Sequence, residues 1–426
     1  MFEGIRAAFK NYDLRKKILF TVMILVLYRI GAIIPVPFVN TSVLGAAIQS
    51  AGTEGLMGML NIMSGGALSQ AALFAMGVSP YINASIIVQL LCIAIPALER
   101  LQKQEDGQKK IQAITRYLTT ALGLVMGYGY YTVLCYYDSL NSNTLLADRS
   151  FFSGLIIVLA FTAGATIVMW MAEKIDFYGI GNGISMVLFA SILSQGYAML
   201  SSILSMFEAG KIVAPILFIV VSLIMLVGIV YVNDAERRLP VQYAKRVVGR
   251  KMYGGNQTFL PMKVLMTGVM PIIFANSFCM LPSTIASFLP NTGFATWVNN
   301  YFTSDKPVYG ILFFLLIIFF NYFYVSVSYD PVEIANNLQK NGGSIPGIRP
   351  GEPTAQYIKK SLNKITLFGA IFLGIISILP MILSAATGES FSLSGNSLLI
   401  VVSIILETSL LLQSQVNMRH YKGFLE

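Results

Sequence analysis

Charge is what this chain lacks first. Only 12% of its 426 residues are Asp, Glu, Lys or Arg, against about 25% in an ordinary soluble domain. A water-soluble globule is thereby excluded. Cysteine is scarce as well: Cys92, Cys135 and Cys279 all fall in apolar stretches with no CxxC spacing, which excludes a disulfide framework and a thiolate zinc site. His420 is the single histidine, so neither His-based catalysis nor a His metal centre has anything to build on. No GxxxxGK[ST] loop and no GxSxG elbow occurs, which removes the usual signatures of nucleotide hydrolysis and serine-hydrolase chemistry. The expectation is a non-enzyme that needs no cofactor.

What the chain has instead is hydrophobic length. Of its residues 55% are hydrophobic, and a window of about 19 residues finds ten candidate spans, near 18–37, 71–97, 117–137, 151–172, 184–207, 212–232, 264–290, 308–329, 365–386 and 395–416. Each is long enough to cross a hydrocarbon core of about 30 Å. The fold class is an all-α polytopic membrane protein. Ahead of the first span, Phe2, Ile5, Phe9 and Tyr12 recur at helical spacing opposite Arg6, Lys10 and Arg15, the pattern of a short helix on the membrane surface. No small-x-small cleavage site follows residue 34 and nine spans come later, so a removed signal peptide is not expected.

Ten spans put both termini on one side, together with 98–116, 173–183, 233–263 and 330–364, and that side carries most of the 29 Lys and Arg. The opposite loops hold only Arg149, Lys211 and Lys306. By the positive-inside rule the basic side is cytoplasmic. Loop 233–263 is unusually dense, with Arg237, Arg238, Lys245, Arg246, Arg250 and Lys251 beside Tyr243 and Tyr253. A hairpin pairing Val241–Tyr243 with Arg250–Tyr253 would project those charges. Such a surface suits RNA phosphates, an acidic protein or the anionic inner leaflet. The second loop contains "GSIPGIRPGEPT", whose prolines and glycines forbid a continuous helix and set a fixed turn around Arg349. It reads either as a partner contact or as an ordinary connector.

"GVSPYINASIIVQLL", residues 77–91, carries Ser79, Asn83, Ser85 and Gln89 in a membrane stretch. At about 100° per residue, Ser85 and Gln89 fall on one flank and Ser79 and Asn83 on the other. Between them runs the row Val78, Ile82, Ile86, while Pro80, Ala84, Ile87, Val88 and Leu91 take the opposite arc. Helix packing through small and polar groups is one explanation. A face turned to a partly hydrated cavity, with the aliphatic row as a dewetting constriction, is the other. Several later segments repeat the theme. "GIGNGIS" breaks the chain and sets Asn182 to cap a helix opening with Ile184 and Leu188. "GVMPIIFANSF" carries Pro271, expected to interrupt the ladder, then Ile272, Ile273, Asn276 and Ser277. "GNSLLIVV" carries Ile400.

The stretches "YRIGAIIPVP" (28–37), "MSGGALSQAALFAMGVSPYINASIIVQLL" (63–91), "GIGNGISM" (179–186), "YAKRVVGR" (243–250), "MPIIFANS" (270–277) and "IPGIRPGEPTAQYI" (345–358) together resemble the SecY family of bacterial protein-conducting channels, and the resemblance spans nearly the whole chain. It implies two pseudo-symmetric inverted halves of five spans around a central hourglass pore: 18–207 and 208–416, hinged near 204–211, with a surface segment 1–17 and a cytoplasmic tail 417–426. It implies a pore ring of Val78, Ile82, Ile184, Leu188, Ile273 and Ile400. It implies a lateral gate where the second and third spans meet the seventh and eighth, here assigned to Ile86, Gln89, Leu265 and Asn276. Leu265 stands where relatives often have asparagine.

The same resemblance makes 53–70 a plug. Read from its residues alone, Leu56, Met57, Leu60 and Met63 form an apolar helical face without Lys, Arg or Trp, ahead of a Gly65–Gly66 joint. With Ile62 these are the expected plug residues. Lys245, Arg246, Arg250, Lys251 and Arg349 are the implied docking surface for the ribosome and the SecA motor ATPase. SecE and SecG subunits, secretory preproteins with their signal sequences and membrane lipids are the implied partners, and the bacterial inner membrane is the implied location. A small-solute secondary transporter is the rival reading, but coupled transporters place ionisable groups at mid-membrane, and here only Arg29 and Glu407 fall within spans. An intramembrane hydrolase lacks a catalytic constellation.

Overall fold

The protein is described from a computed structural model, which covers residues 11–51, 61, 64–102, 104, 106–140, 145–146, 148–208, 210, 212–243, 246–248, 251–253, 257–288, 292–302, 306–387 and 395–422. Helix α1 (Tyr12–Gly31) opens at Asn11, whose side chain accepts from the Asp13 amide. Tyr12 to Lys17 therefore continue the first span and do not form a separate surface helix; residues 1–10 lie outside the described part. Then come α2 (Thr41–Ala51), α3 (Ser79–Ala94), α4 (Pro96–Gln102), α5 (Gly107–Leu140), α6 (Phe151–Tyr178), α7 (Gly183–Ser194), α8 (Gly196–Glu208) and α9 (Val213–Asp234). The second half, which starts with α9, also holds α10 (Met270–Phe288), α11 (Gly293–Tyr301), α12 (Pro307–Ser328), α13 (Pro331–Lys340), α14 (Glu352–Thr387) and α15 (Gly395–Lys422).

Ten uniform spans were expected; among the described residues six helices are long and apolar enough to cross a membrane, and a bent pair makes a seventh. The second, fifth and seventh are interrupted for local reasons. The second span is helical only from Ser79, because 71–78 is a run of turns, and it bends by 107° where Pro96 follows Ile95. Its 16-residue helix α3 is about 24 Å long. The fifth span breaks at Gln195 into α7 and α8. In the seventh, turns over 264–269 precede α10, so Pro271 lies in the first turn, where no ladder bond is lost, and the interior proline is Pro282.

In the first half α1 packs on α6 and α7, α3 on α5, and α6 on α5 and α7. In the second, α12 packs between α10 and α14, and α15 against α9 and α14. The halves meet where α10 touches α3 and α5 and where α7 touches α15. The largest hydrophobic core cluster runs across both contacts.

The basic loops fold outside this helical body. Strands β1 (Glu236–Tyr243) and β4 (Gln257–Lys263) pair antiparallel from Glu236 opposite Lys263 to Gln242 opposite Gln257. Strand β5 (Gly343–Ser344) adds on the other edge of β1, with Gln242 opposite Ser344. The expected pairing of Val241–Tyr243 with Arg250–Tyr253 is therefore corrected. Val241 pairs with Thr258, while β2 (Arg246–Val248) and β3 (Lys251–Tyr253) make a smaller hairpin of their own. Burial selects the register: Leu239 and Val241 point inward and Pro240 and Gln242 outward. Leu239 joins Met262, Ile345, Ala355 and Ile358 in a separate core.

Candidate functional site

All six expected ring residues belong to one hydrophobic cluster. Val78, Ile82, Leu188 and Ile273 are 4–6% exposed, and Ile184 and Ile400 are half-buried against them. They come from four helical segments, two in each half. Val78 caps α3 and Ile82 lies on it; Ile184 and Leu188 open α7; Ile273 is in the first turn of α10 and Ile400 near the start of α15. The start of α7 is tightly fixed. Asn182 Oδ1 accepts from the Ser185 amide at 3.2 Å and Asp176 Oδ1 from the Gly183 amide at 2.6 Å. A methyl group at Gly183 would overlap the Ala172 carbonyl of α6.

The row Val78, Ile82, Ile86 is buried, and Ser79, Asn83 and Ser85 beside it are half-buried. The opposite arc is not one lipid face, however. Pro80, Ala84 and Val88 are buried too, and only Ile87 and Leu91 are exposed. Of the expected gate residues, Ile86 and Leu265 join the main cluster, while Gln89 is exposed and Asn276 half-buried on α10. Gln89 is bonded across the two halves: the Tyr324 hydroxyl of α12 donates to its Oε1 at 2.7 Å. The Tyr324 ring lies 4.9 Å from that of Phe274 on α10. Sequence reasoning missed Tyr324, which stands 235 positions from Gln89 in an unremarkable aromatic run.

Of the expected plug residues, Met57, Leu60, Ile62 and Met63 lie outside the described residues. Gly65 and Gly66 both have left-handed backbones, φ +69° and +84°, which glycine alone adopts freely. Gly65 sits against α7, where an added methyl would come within 2.9 Å of the Ser191 backbone. Its carbonyl accepts from Arg29 Nη1 at 3.2 Å and lies 3.1 Å from Ser194 Oγ, whose single proton is shared with the nearer Ser191 carbonyl at 2.6 Å.

Farther out on the same side, the buried carboxylate of Asp138 accepts from the Leu145 and Leu146 amides at 2.8 and 3.1 Å and pairs with Arg149 at 2.7 Å. Burial works to raise its pKa, but the Leu146 amide, Arg149 and the Leu145 amide outweigh it. The group is held below the ordinary carboxylate range.

On the side of the basic loops, a cavity of about 430 Å³ opens beside the aliphatic cluster, lined by Asn182, Ser185, Lys263, Leu265, Ser403 and Glu407 among others. Arg349 is exposed at a turn fixed by Gly347 and Gly351, both at positive φ, and by Thr354 Oγ1 donating to the Arg349 carbonyl at 2.8 Å. Lys245 and Arg250 lie outside the described residues; Arg246 and Lys251 are located by backbone alone in β2 and β3.

A membrane-embedded helical body whose two halves meet in an aliphatic cluster, with polar cavities and basic loops on one side, has the architecture of a gated channel. Comparison with known proteins makes that specific. The SecY family model matches residues 72–409. The protein translocase subunit SecY of Streptomyces griseus is 43% identical over 439 residues, covering the whole of both chains. A solved SecY structure whose subject is the plug domain and the closed state of the translocation channel aligns with TM-score 0.63 and 18% identity, over 93% of this chain and 91% of that one. Sec61 in the canine ribosome–channel complex gives TM-score 0.61 at 16% identity, with the same coverage. The chain belongs to the SecY family of protein translocase subunits, and its function is that of a protein-conducting channel in a membrane. The small-solute transporter reading has no support among these relatives.

Proposed function

We propose that Val78, Ile82, Ile184, Leu188, Ile273 and Ile400 form the seal of the channel, through which unfolded secretory polypeptides pass. The observation that carries this reading is their convergence, from both halves, in one cluster. An aliphatic constriction excludes water and ions by dewetting yet offers a passing chain nothing to bind. Segment 53–70 is the plug that fills the outer funnel, and Ile86, Gln89, Leu265 and Asn276 flank the exit through which signal sequences and transmembrane segments reach lipid. The two five-span halves, 18–207 and 208–416, part at this exit and hinge near 204–211.

The basic loops dock the ribosome and SecA through Lys245, Arg246, Arg250, Lys251 and Arg349. SecE clamps the hinge side and SecG is peripheral. The chain resides in the bacterial cytoplasmic membrane with both termini cytoplasmic, in keeping with its Lys and Arg distribution. Support for docking comes from the exposed, fixed tip at Arg349 and from the ribosome-bound state of the Sec61 neighbour.

The test is reconstitution with SecE and SecG in vesicles and measurement of SecA- and ATP-driven preprotein entry. In the same vesicles, Ile82→Ser with Ile273→Ser should raise the idle ion conductance about tenfold or more by wetting the constriction. An unchanged conductance reduces the ring to packing.

A further inference from the structure

The segment leading into the second span is held in two different ways. Beyond Ala67 it is stitched by backbone: the Val36 amide donates to the Ala71 carbonyl and the Leu73 amide to the Ile34 carbonyl, both at 2.8 Å. Asn61 and Ser64 to Gly66 are instead held mainly by side chains. The Gly66 amide donates to the Asn61 carbonyl at 2.8 Å, and Asn61 Oδ1 accepts from the Ser69 amide at 2.8 Å. From outside come Arg29 Nη1 and Ser194 Oγ on the Gly65 carbonyl, and Gln195 Nε2 on the Asn61 carbonyl at 3.4 Å. The two helices that supply these groups are themselves joined, because the buried Tyr28 and Ser191 hydroxyls bond at 2.7 Å.

We infer that Arg29 is the positioning residue of the plug's hinge, a releasable clamp that holds the joint at Gly65 and so keeps the idle channel shut. Neither sequence position nor the seal requires a guanidinium there. A half-buried cation at the end of a membrane helix is costly unless it has a specific acceptor, and among the described residues its acceptor is the carbonyl of Gly65, whose seat against Ser191 admits no side chain. A bond from a charged donor is among the stronger hydrogen bonds, yet it ends on one backbone oxygen and can be exchanged for water when the segment moves. The backbone stitches at Ile34–Val36 do not have to break for that to happen.

This inference rests on the plug reading, and the experiment separates the two. The complete channel complex is reconstituted in vesicles and its idle ion flux compared for the unaltered chain, Arg29→Gln, Arg29→Lys and Ser194→Ala, each with and without residues 53–60. Arg29→Gln should raise the flux about tenfold and Ser194→Ala, which removes a neutral donor, roughly fivefold. Arg29→Lys should fall between Arg29→Gln and the unaltered chain. Deleting 53–60 should raise the flux by itself, and in that background none of the three substitutions should add to it. If the deletion leaks but Arg29→Gln and Ser194→Ala do not, the clamp is refuted and the plug stands. If Arg29→Gln adds the same leak with the segment deleted, the residue acts through the general fold and the clamp is refuted. If the deletion causes no leak, the plug reading fails and the clamp with it.

Discussion

The two halves differ in what joins their helices. In the first half hydrogen bonds and ion pairs carry many of the long-range joints, beside the ring pairs Tyr28–Phe74 and Tyr130–Phe161. Tyr28 bonds Ser191, Thr21 Oγ1 accepts from the Ile180 amide at 3.1 Å, Arg116 pairs with Glu173 at 2.7 Å, and Asp138 gathers the outer loop. In the second half the joints are mostly rings. Phe320 contacts Phe274 and Phe278 at 5.8 and 5.0 Å between centroids, and Tyr309 lies between Phe302 and Phe313. Polar links interrupt them, where Asn321 joins Thr267 to the Thr366 carbonyl and where the Tyr322 hydroxyl donates to the Asn363 carbonyl at 3.2 Å. Hydrogen bonds lose most of their strength when misaligned, whereas offset and tilted ring contacts tolerate displacement. The two kinds of joint meet where Tyr324 bonds Gln89.

That contrast can be broken most forcefully at Phe320, which is 1% exposed. Phe320→Ala should cost about 3–5 kcal/mol in reversible unfolding of the micelle-bound protein. A loss no greater than that of Tyr28→Phe, about 1 kcal/mol, would mean that the ring cluster is slack. Next is Asp138→Asn, expected to cost about 2 kcal/mol because a charged acceptor of three donors is removed. Since the Asp138 pKa is lowered by folding, its contribution is complete at neutral pH, above the unfolded value. It fades as pH falls through the lower folded value. Hydrogen exchange at the Leu145 and Leu146 amides checks both points.

Tyr324→Phe should shift the contact between the halves by about 1 kcal/mol toward separation, read as a longer mean distance between probes on α3 and α12. No change there would place the restraint in the aliphatic cluster instead. Arg349→Glu should have the smallest effect on stability, within about 0.5 kcal/mol, yet it should abolish SecA-driven export by presenting the wrong charge. Normal export would remove this tip from the docking surface.

Local features were legible in the sequence because their causes are local. The Asn182 cap and the buried row Val78, Ile82, Ile86 follow from spacing within one or two helical turns. Helix ends are less so: Pro96 is visible, but the hydropathy window runs through it, and nothing in the apolar turns "AALFAMGV" over 71–78 separates them from helix by composition. The nested strands are not legible because a turn around Val247–Gly249 suggests pairing Val241–Tyr243 with Arg250–Tyr253, whereas the burial of Leu239 and Val241 extends β1 to β4 and leaves β2 and β3 a hairpin of their own. Contacts such as Tyr28–Ser191 and Gln89–Tyr324, 163 and 235 positions apart, depend on the assembled helices and leave no local trace.

The sheet formed by the basic loops has a mechanical meaning. Gln242 and Ser344 are neighbours in it although 102 positions separate them. One end of β1 continues from α9, β4 leads toward α10, and β5 lies between α13 and α14. A load applied at the Arg349 tip is therefore not absorbed by a slack tether. It is delivered through paired strands to the feet of several membrane helices at once, so that whatever presses on the loop leans on the wall of the channel.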